Sequence, residues 1–271
     1  MYAINTQLMN REQIGSDCHL LKFDCPEVAD SAQPGQFVHI RLTAGFDPLL
    51  RRPFSVMRTN PAEGSFEVLM RTVGRGTRML AQSRPGEEFH ILGPLGHGFE
   101  LPAHPGEVVL VAGGIGVAPL IFLATGLHQP DTYRYDRALF GAATGDELYC
   151  WLEFSGMCDE FTAVTEDDST GETGLVTDLL PDQLQRGASC VCACGPLDML
   201  AVVAEQCQAE AVDCFVSLEQ WMGCGVGACL GCVIPTRLPG AQRYQRVCQD
   251  GPVFAASQID WEAMRSGSGP G

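Results

Sequence analysis

Four cysteines near the C-terminal end constrain the fold more than any other feature of the sequence. Three follow the spacing C-x4-C-x2-C, and the fourth comes after fifteen intervening residues: Cys224, Cys229, Cys232 and Cys248. This is the spacing of plant-type ferredoxins, in which four thiolates ligate a 2Fe–2S cluster. The sequence therefore predicts that these four cysteines are metal ligands that hold a 2Fe–2S cluster.

Glycines separate the first three cysteines, at Gly225, Gly227 and Gly231. A loop that wraps a cluster must bring its backbone close to the sulfides, and glycine permits both that approach and a positive φ. The loop amides are expected to donate hydrogen bonds to the sulfurs. A zinc site and four buried structural cysteines remain alternatives, although zinc favours paired C-x2-C ligands or mixed cysteine and histidine ligands.

The overall composition excludes several classes of function. The chain has 271 residues, a hydrophobic fraction of 45% and a formal net charge of −16. It can therefore build globular cores, but it is poorly suited to bind nucleic acid or an anionic membrane. Residues 1–13 lack the apolar region of a signal peptide, so the thirteen cysteines are expected in a reducing cytoplasm, where metal spacing indicates ligands rather than disulfides.

The first 212 residues divide into a strand-rich segment and a mixed segment. Residues 1–101 contain short alternating strands, such as 36–42 and 66–71, which predict a β-barrel or sandwich. In residues 102–212, apolar strands alternate with helices, which predicts a parallel α/β sheet. The uncharged stretch 108–127 approaches the ~20 residues of a membrane span, but its glycines and proline favour a strand, a turn and a helix.

The remaining residues form a small segment and a tail. Residues 213–262 hold the four cysteines and several glycines in a segment too short for much core, so a metal centre is expected to stabilise it. Residues 263–271 are expected to form a flexible tail. The prediction is thus three domains, 1–101, 102–212 and 213–262, followed by the tail.

Two glycine-containing turns follow predicted strands of the mixed segment. They supply the candidate nucleotide-binding residues Gly113, Gly114, Gly116, Cys194, Gly195 and Pro196. A glycine turn at a helix N-terminus presents backbone N–H groups and a positive dipole end to a pyrophosphate. Because the first turn departs from the full G-x-G-x-x-G pattern, simple packing turns remain an alternative for both.

The first segment carries residues suited to a flavin nucleotide. Arginine can bind a phosphate bidentately, an aromatic ring can cover an isoalloxazine, and a glycine-rich turn can form an anion-binding nest. Surface loops are the alternative. The candidates are Arg52, Pro53, Phe54, Ser55, Leu69, Met70, Arg71, Gly76 and Thr77.

Together these motifs resemble the ferredoxin–NADP reductase superfamily. Residues 52–55 look like its flavin motif, and residues 113–120 and 194–199 look like its nicotinamide motifs. The stretches 217–232 and 246–254 are similar to electron-transfer subunits of class 1B dihydroorotate dehydrogenases. The resemblance implies an antiparallel flavin barrel, a Rossmann-like nicotinamide domain and a small 2Fe–2S domain. Phe54 stands where many reductases carry tyrosine, a change that keeps stacking but loses a phenol hydrogen bond.

The resemblance also implies cofactors and a partner. It implies FAD on residues 52–55, 69–71 and 76–77, and the cluster on the four cysteines. The implied partner is the FMN-containing catalytic subunit that oxidises dihydroorotate in pyrimidine biosynthesis, in a heterotetramer with two copies of each subunit.

The hypothesis is that NADH binds across the two glycine turns and that hydride passes to FAD, which reduces the cluster one electron at a time. No side chain is nominated as nucleophile or general base. Residues 142–147 contain no lysine or arginine to meet a 2′-phosphate, which favours NAD over NADP. Alternatives are a related subunit of a sulfide dehydrogenase, a hydrogenase or a bifurcating transhydrogenase, and a non-enzymatic zinc or electron-carrier protein.

Overall fold

Six antiparallel strands of the N-terminal segment close into a barrel in the order β1-β2-β5-β4-β3-β6. The computed structural model describes residues 1–43, 45–101, 106–128 and 136–267. The barrel strands are β1 (Tyr2–Gln13), β2 (Cys18–Asp24), β3 (Phe37–Arg41), β4 (Arg52–Asn60), β5 (Ser65–Arg71) and β6 (Glu88–Leu95), with helices α1 (Pro26–Ser31) and α2 (Arg75–Gln82).

The alternation of side chains along these strands explains the barrel core. Val38 and Ile40 of β3 are fully buried with Phe66 and Val68 of β5 in one apolar cluster. Successive residues of a strand point to opposite faces, so His39 points away from this cluster.

Seven strands form the second sheet, in the order β10-β9-β8-β7-β11-β12-β15, where β15 is Val253–Ala255. Its first six strands are parallel, as predicted for alternating strands and helices. They are β7 (Val108–Gly113), β8 (Asp136–Ala142), β9 (Glu160–Thr165), β10 (Glu172–Thr173), β11 (Cys190–Cys194) and β12 (Asp213–Ser217), with helices α3 (Val117–Leu127), α4 (Trp151–Ser155), α5 (Val176–Gln185) and α6 (Leu197–Ala209).

Helices cover both faces of this sheet. Val109 and Val111 of β7 pack on the face that α5 and α6 cover, whereas Val108 and Leu110 pack on the face of α3. Cys190, Cys192 and Cys194 all pack on the α3 face, because alternate residues of a strand share one side.

The uncharged stretch 108–127 is a buried strand followed by a buried helix. Helix α3 is apolar on every side because it packs against both the sheet and β4 of the barrel. No helix in the described part of the chain is long and apolar enough to cross a bilayer.

The C-terminal residues add strands β13 (Val233–Pro235), β14 (Tyr244–Arg246) and β15 (Val253–Ala255) and helix α7 (Trp261–Ser266). Two features differ from the predicted boundaries. β12 and β15 complete the large sheet, so the boundary at 212/213 falls inside it, and Ile234 and Phe254 join its core. Helix α7 occupies most of the described part of the predicted tail, because Met264 is buried in the same core. Residues 102–105 and 268–271 lie outside the described residues.

Candidate functional site

The flavin-motif residues of β4 lie beside the N-terminus of α2. A Cβ atom added to Gly76 would lie 3.2 Å from Nε of Arg52 and 2.5 Å from Cδ1 of Leu42. Nη1 of Arg52 donates to the carbonyl oxygen of Leu50 at 2.8 Å, which orients the guanidinium. The structure therefore places a cation next to the first turn of a helix, where backbone N–H groups favour an anion.

The turn at residues 73–77 is the start of helix α2 rather than the predicted nest. Gly74 has an extended φ of −150° and acts as the N-cap of α2, which begins at Arg75. The hydroxyl of Thr77 accepts hydrogen bonds from the amides of Val73 and Gly74, both at 3.0 Å. A nest requires alternating right- and left-handed residues, which a helix start lacks, but the helix N-terminus has the same affinity for anions.

The three candidate flavin residues of β5, at positions 69–71, have different surroundings. Leu69 and Met70 are buried in two different cores, so only their backbone can face a cofactor. Nε of Arg71 donates to a carboxylate oxygen of Asp17 at 2.8 Å, and its guanidinium lies 3.7 Å from Glu147. The hydrogen bond to Asp17 raises the pKa of Arg71, and this cation already joins the barrel to the second sheet.

The pair Phe54 and Ser55 lies on the half-buried stretch of β4, opposite Val38 and Phe37 of β3. Pro53 pairs with His39 in the same ladder. Because residues 52–55 are partly exposed, their side chains remain open to a ligand.

The two glycine turns meet at the carboxyl edge of the large sheet. Ala112 of β7 lies opposite Cys194 of β11, so both turns leave the sheet side by side. A Cβ atom on Gly113 would lie 2.7 Å from Cδ of Pro196, and one on Gly116 would lie 2.7 Å from the amide nitrogen of Gly195. The glycines are thus required by the close approach of the two turns.

Gly114 borders an open space beside the contact between the two turns. Gly114 has a φ of +50°, and a Cβ atom there would meet no other atom within 4 Å. Residues 114–116 form a single 3-10 turn that leads into α3. A nucleotide phosphate therefore has space and helix N–H groups at the end of β7, which is where ligands bind in open parallel sheets.

The Cys194 thiol is buried and is not poised for chemistry. Burial raises its pKa well above the usual range for cysteine, and the side chain packs in the core on the α3 face. The contribution of Cys194 to the candidate nucleotide site is consequently its backbone.

Backbone amides surround the sulfurs of the cysteine loop. The Sγ atom of Cys224 accepts from the amides of Val226 at 3.4 Å, Ala228 at 3.3 Å and Cys229 at 3.4 Å. The amide of Gly227 donates to Sγ of Cys248 at 3.2 Å. Such donors stabilise thiolates, which are the species that ligate iron.

The four sulfurs fall into two pairs. Sγ of Cys232 lies 3.2 Å from Sγ of Cys248, and the Cys224 and Cys229 side chains interact with each other. In the described part of the chain, no three of these sulfurs lie within 4.8 Å of one another. A single tetrahedral zinc with Zn–S bonds of about 2.3 Å would hold all four about 3.8 Å apart. Two separated pairs suit a cluster of two irons better than one zinc.

The pKa values of Cys224 and Cys248 are shifted in opposite directions. Burial disfavours the Cys224 thiolate, but the amides of Val226, Cys229 and Ala228 outweigh it and lower the pKa to about 6. Burial, followed by the neighbouring Cys232 thiol, raises the pKa of Cys248 to about 12. Without metal the Cys248 thiol therefore keeps its proton at neutral pH, and a metal cation there would displace it.

The loop conformation agrees with the glycine prediction at two of three positions. Gly225 and Gly227 have φ of +72° and +78°. Gly231 does not have a positive φ; its neighbour Leu230 does, at +58°, and carries an exposed side chain. The turn between Cys229 and Cys232 therefore uses a non-glycine residue in the left-handed region.

Sequence reasoning missed His39, which lies between the flavin motif and the cysteine loop. Its ring is fully buried, and the atoms nearest to a Cβ added on Gly225 belong to this ring. Burial, together with the charges of Arg51 and Arg52, lowers the pKa of His39 to about 4. An isolated histidine on a strand carries no spacing signal, so only the register of β3 could have drawn attention to it.

Two family profiles match this chain. The profile "Oxidoreductase FAD-binding domain" covers residues 5–99, and the profile "Iron-sulfur cluster binding domain of dihydroorotate dehydrogenase B" covers residues 219–260. The first contains all nine candidate flavin residues, and the second contains the four cysteines.

Curated relatives match over nearly the whole chain. The "Dihydroorotate dehydrogenase B (NAD(+)), electron transfer subunit" of Desulforamulus reducens is 38% identical over 92% of this chain and 95% of its own length. The protein of the same name from Geobacillus thermodenitrificans is 42% identical over 86% of this chain and 88% of its own length.

Solved structures share the fold. A chain from an NADH-dependent reduced ferredoxin-NADP oxidoreductase, studied for flavin-based electron bifurcation, superposes with a TM-score of 0.84 at 30% identity, over 96% of this chain and 91% of its own. A ferredoxin NADP+ reductase from Neisseria gonorrhoeae with bound FAD and NADP gives a TM-score of 0.65 at 17% identity, over 78% of this chain and 92% of its own.

Proposed function

The chain belongs to the family of electron transfer subunits of dihydroorotate dehydrogenase B, and we propose that it carries electrons between NAD(H) and a dihydroorotate-oxidising partner. FAD, when bound, exchanges two electrons with NADH as hydride and passes them singly to the 2Fe–2S cluster. One observation carries the proposal. The sulfurs of the four cysteines form two pairs that accept hydrogen bonds from backbone amides, and their loop packs against the FAD-binding barrel.

The chain's own residues hold the flavin in this proposal. Arg52 and the N-terminus of α2 bind the phosphates, and the side chains of Phe54 and Ser55 face the flavin. Thr77 contributes indirectly, because its hydroxyl fixes the start of α2. Residues 1–101 form the flavin module.

The two touching turns bind NADH. Gly114 supplies open space, Gly113 and Gly116 allow the two turns to touch, and the Cys194–Pro196 backbone supplies the facing wall. Residues 102–212, with β12 completing the sheet, form the nicotinamide module. The absence of lysine and arginine from residues 142–147 favours NADH over NADPH.

The four cysteines hold the cluster, and their module is fixed to the barrel. The amide of His97 donates to the carbonyl oxygen of Gly251 at 2.7 Å, three residues after the last ligand. A Cβ atom on Gly96 would lie 2.6 Å from Cδ of Pro252. These contacts hold residues 213–262 against the flavin module, and a short fixed separation suits electron transfer.

The cluster loop also forms the surface for the partner. Cys229 is exposed, and the large apolar side chains of Trp221 and Leu230 are 69% and 60% exposed. Exposed apolar residues beside a redox centre are suited to bind another protein. The proposed partner is the FMN-containing catalytic subunit of dihydroorotate dehydrogenase, in a cytoplasmic heterotetramer with two copies of each subunit.

A second candidate is an electron-transfer subunit of a bifurcating transhydrogenase. The likeness to the NADH-dependent reduced ferredoxin-NADP oxidoreductase chain, at 30% identity over 96% of this chain, supports it. Both functions use the same cofactor sites, and they differ in the partner.

Affinity purification of the chain from its native cells tests the choice. We expect recovery of a flavoprotein and a preparation that reduces NAD when dihydroorotate is added. Recovery of a ferredoxin- or NADP-linked partner, with no dihydroorotate-dependent reduction of NAD, would contradict the proposal and support the second candidate.

A further inference from the structure

His39 of β3 lies between the flavin motif and the cluster loop. The ladder between β3 and β4 places it opposite Pro53. Its neighbours Val38 and Ile40 point into the barrel core, so the imidazole points outward from the barrel. It is nevertheless fully buried, because another part of the chain covers it.

The covering residue is Gly225, which follows the cluster ligand Cys224. A Cβ atom on Gly225 would overlap Nδ1 of the ring and lie 3.1 Å from its Cγ and Cε1 atoms. Gly225 also has a φ of +72°, so both space and backbone conformation favour glycine. The cluster loop thus rests directly on the imidazole.

The ring is polar without a well-formed hydrogen bond. Among the described residues, neither nitrogen of His39 has a partner with good hydrogen-bond geometry. The backbones of Cys224 and Arg51 nevertheless lie close enough to act on the ring. An unsatisfied buried polar group is unfavourable, and leucine would avoid that cost while filling similar space.

We propose that His39 is a positioning residue that joins the Cys224 end of the cluster loop to the flavin-motif strand, with its ring packed under Gly225 and a ring N–H within reach of the Cys224 backbone. This inference rests on the proposed function. The step that it serves is the transfer of one electron, lost by the flavin and gained by the cluster. No bond forms or breaks at His39, and the ring gains no proton.

The test compares His39→Leu with His39→Gln in the full-length chain reconstituted with FAD, iron and sulfide. His19→Leu is the matched control, because His19 is also a buried barrel histidine with an unpartnered Nδ1 and it lies on β2. The measurements are the EPR spectrum of the reduced cluster, its reduction potential, and the separate rates of flavin and cluster reduction by NADH.

We expect His39→Leu to slow cluster reduction by about 10- to 100-fold, the usual scale for groups that support metal ligands, and to change the EPR spectrum and potential. His39→Gln should restore most of the lost rate because its amide can donate a hydrogen bond. The His19→Leu variant should keep the wild-type EPR spectrum.

Gly225→Ala keeps the proposal testable if His39→Leu fails to fold. Its added methyl group presses on the ring from the loop side and should produce the same spectral change. Wild-type rates, spectrum and potential in His39→Leu would overturn the proposal, as would equal defects in the leucine and glutamine variants. Failure of NADH to reduce the cluster in the wild-type chain would instead refute the proposed function.

Discussion

The Gly116→Ala substitution tests whether the two glycine turns form one nucleotide site. The added Cβ atom would lie 2.5 Å from the carbonyl carbon of Cys194 and 2.7 Å from the amide nitrogen of Gly195. Both are backbone atoms at the end of β11, so no side-chain rotation can relieve the overlap. Because ordinary contact begins at 3.4 Å and the carbonyl oxygen of Cys194 lies closer still, the turns must separate by at least about 0.9 Å.

The free-energy cost of the substitution follows from this overlap. Adding a methyl group to a well-packed position costs about 1–3 kcal/mol. If the separation of the turns weakens NADH binding by that amount, KM for NADH rises roughly 5- to 150-fold. The FAD and cluster contents should stay unchanged, because the overlap falls on the backbone of Cys194 and Gly195 rather than on the residues proposed to bind these groups.

The assay is NADH-dependent reduction of ferricyanide, with thermal unfolding measured in parallel. Gly126→Ala is the matched control, because it lies in the same helix α3 and its Cβ atom would meet its nearest neighbour at an ordinary 3.7 Å. Alanine at that helical position should be neutral or stabilising by up to about 1 kcal/mol. An unchanged KM and melting temperature in Gly116→Ala would refute the reasoning.

Three further predictions concern the cluster and the flavin. Cys248→Ser should abolish the cluster EPR signal while FAD remains bound; a full signal in this variant would exclude Cys248 as a ligand. In metal-free protein, iodoacetamide should alkylate Cys224 half-maximally near pH 6, because amide donors lower its pKa to about 6 and the reactive thiolate forms above that pH. The Cys224 thiolate should stabilise the folded protein fully above about pH 9, the unperturbed pKa of cysteine, and this stabilisation should be lost as the pH falls through about 6. Half-maximal alkylation near pH 9 would contradict the lowered pKa of Cys224. Thr77→Val should destabilise the protein by about 1 kcal/mol and weaken FAD binding, because Val73 and Gly74 lose their acceptor. Thr77→Ser should retain both properties, and equal FAD affinity in the two variants would contradict this role.

The parts of the fold that the sequence predicted rest on local patterns. The apolar run that became β7, the alternation that became β3 and the cysteine spacing are all readable within a few residues. The parallel sheet followed from strands that alternate with helices. These features arise from hydrophobic periodicity and from ligand spacing, both of which are properties of the chain itself.

The parts that the sequence did not predict depend on contacts between distant segments. β15 is three residues long, and it forms a strand because it pairs with β12 at the edge of the large sheet. Helix α7 was expected to be a tail, and it is ordered because Met264 enters a core built mainly by the preceding sheet. Arg71 matched a flavin motif, but whether a nearby acid would pair with it depends on the position of Asp17 in space.

The candidate site divides in the same way. The residue types of the flavin motif and glycine turns are visible in the sequence, whereas their contacts are not. The approach of Gly76 to Arg52 and the placement of Gly225 on His39 both follow from tertiary packing. The positive φ of Leu230 has no sequence signal, because leucine seldom adopts it.

An anaerobic titration of the reconstituted chain with NADH tests the central claim most directly, when absorbance and EPR are followed in the same sample. The account predicts that NADH bleaches the flavin absorbance and that the EPR signal of a reduced 2Fe–2S cluster then appears without any partner protein. Flavin that bleaches while the cluster stays oxidised, although dithionite reduces it, would contradict the claim that this chain carries electrons from NADH to the cluster.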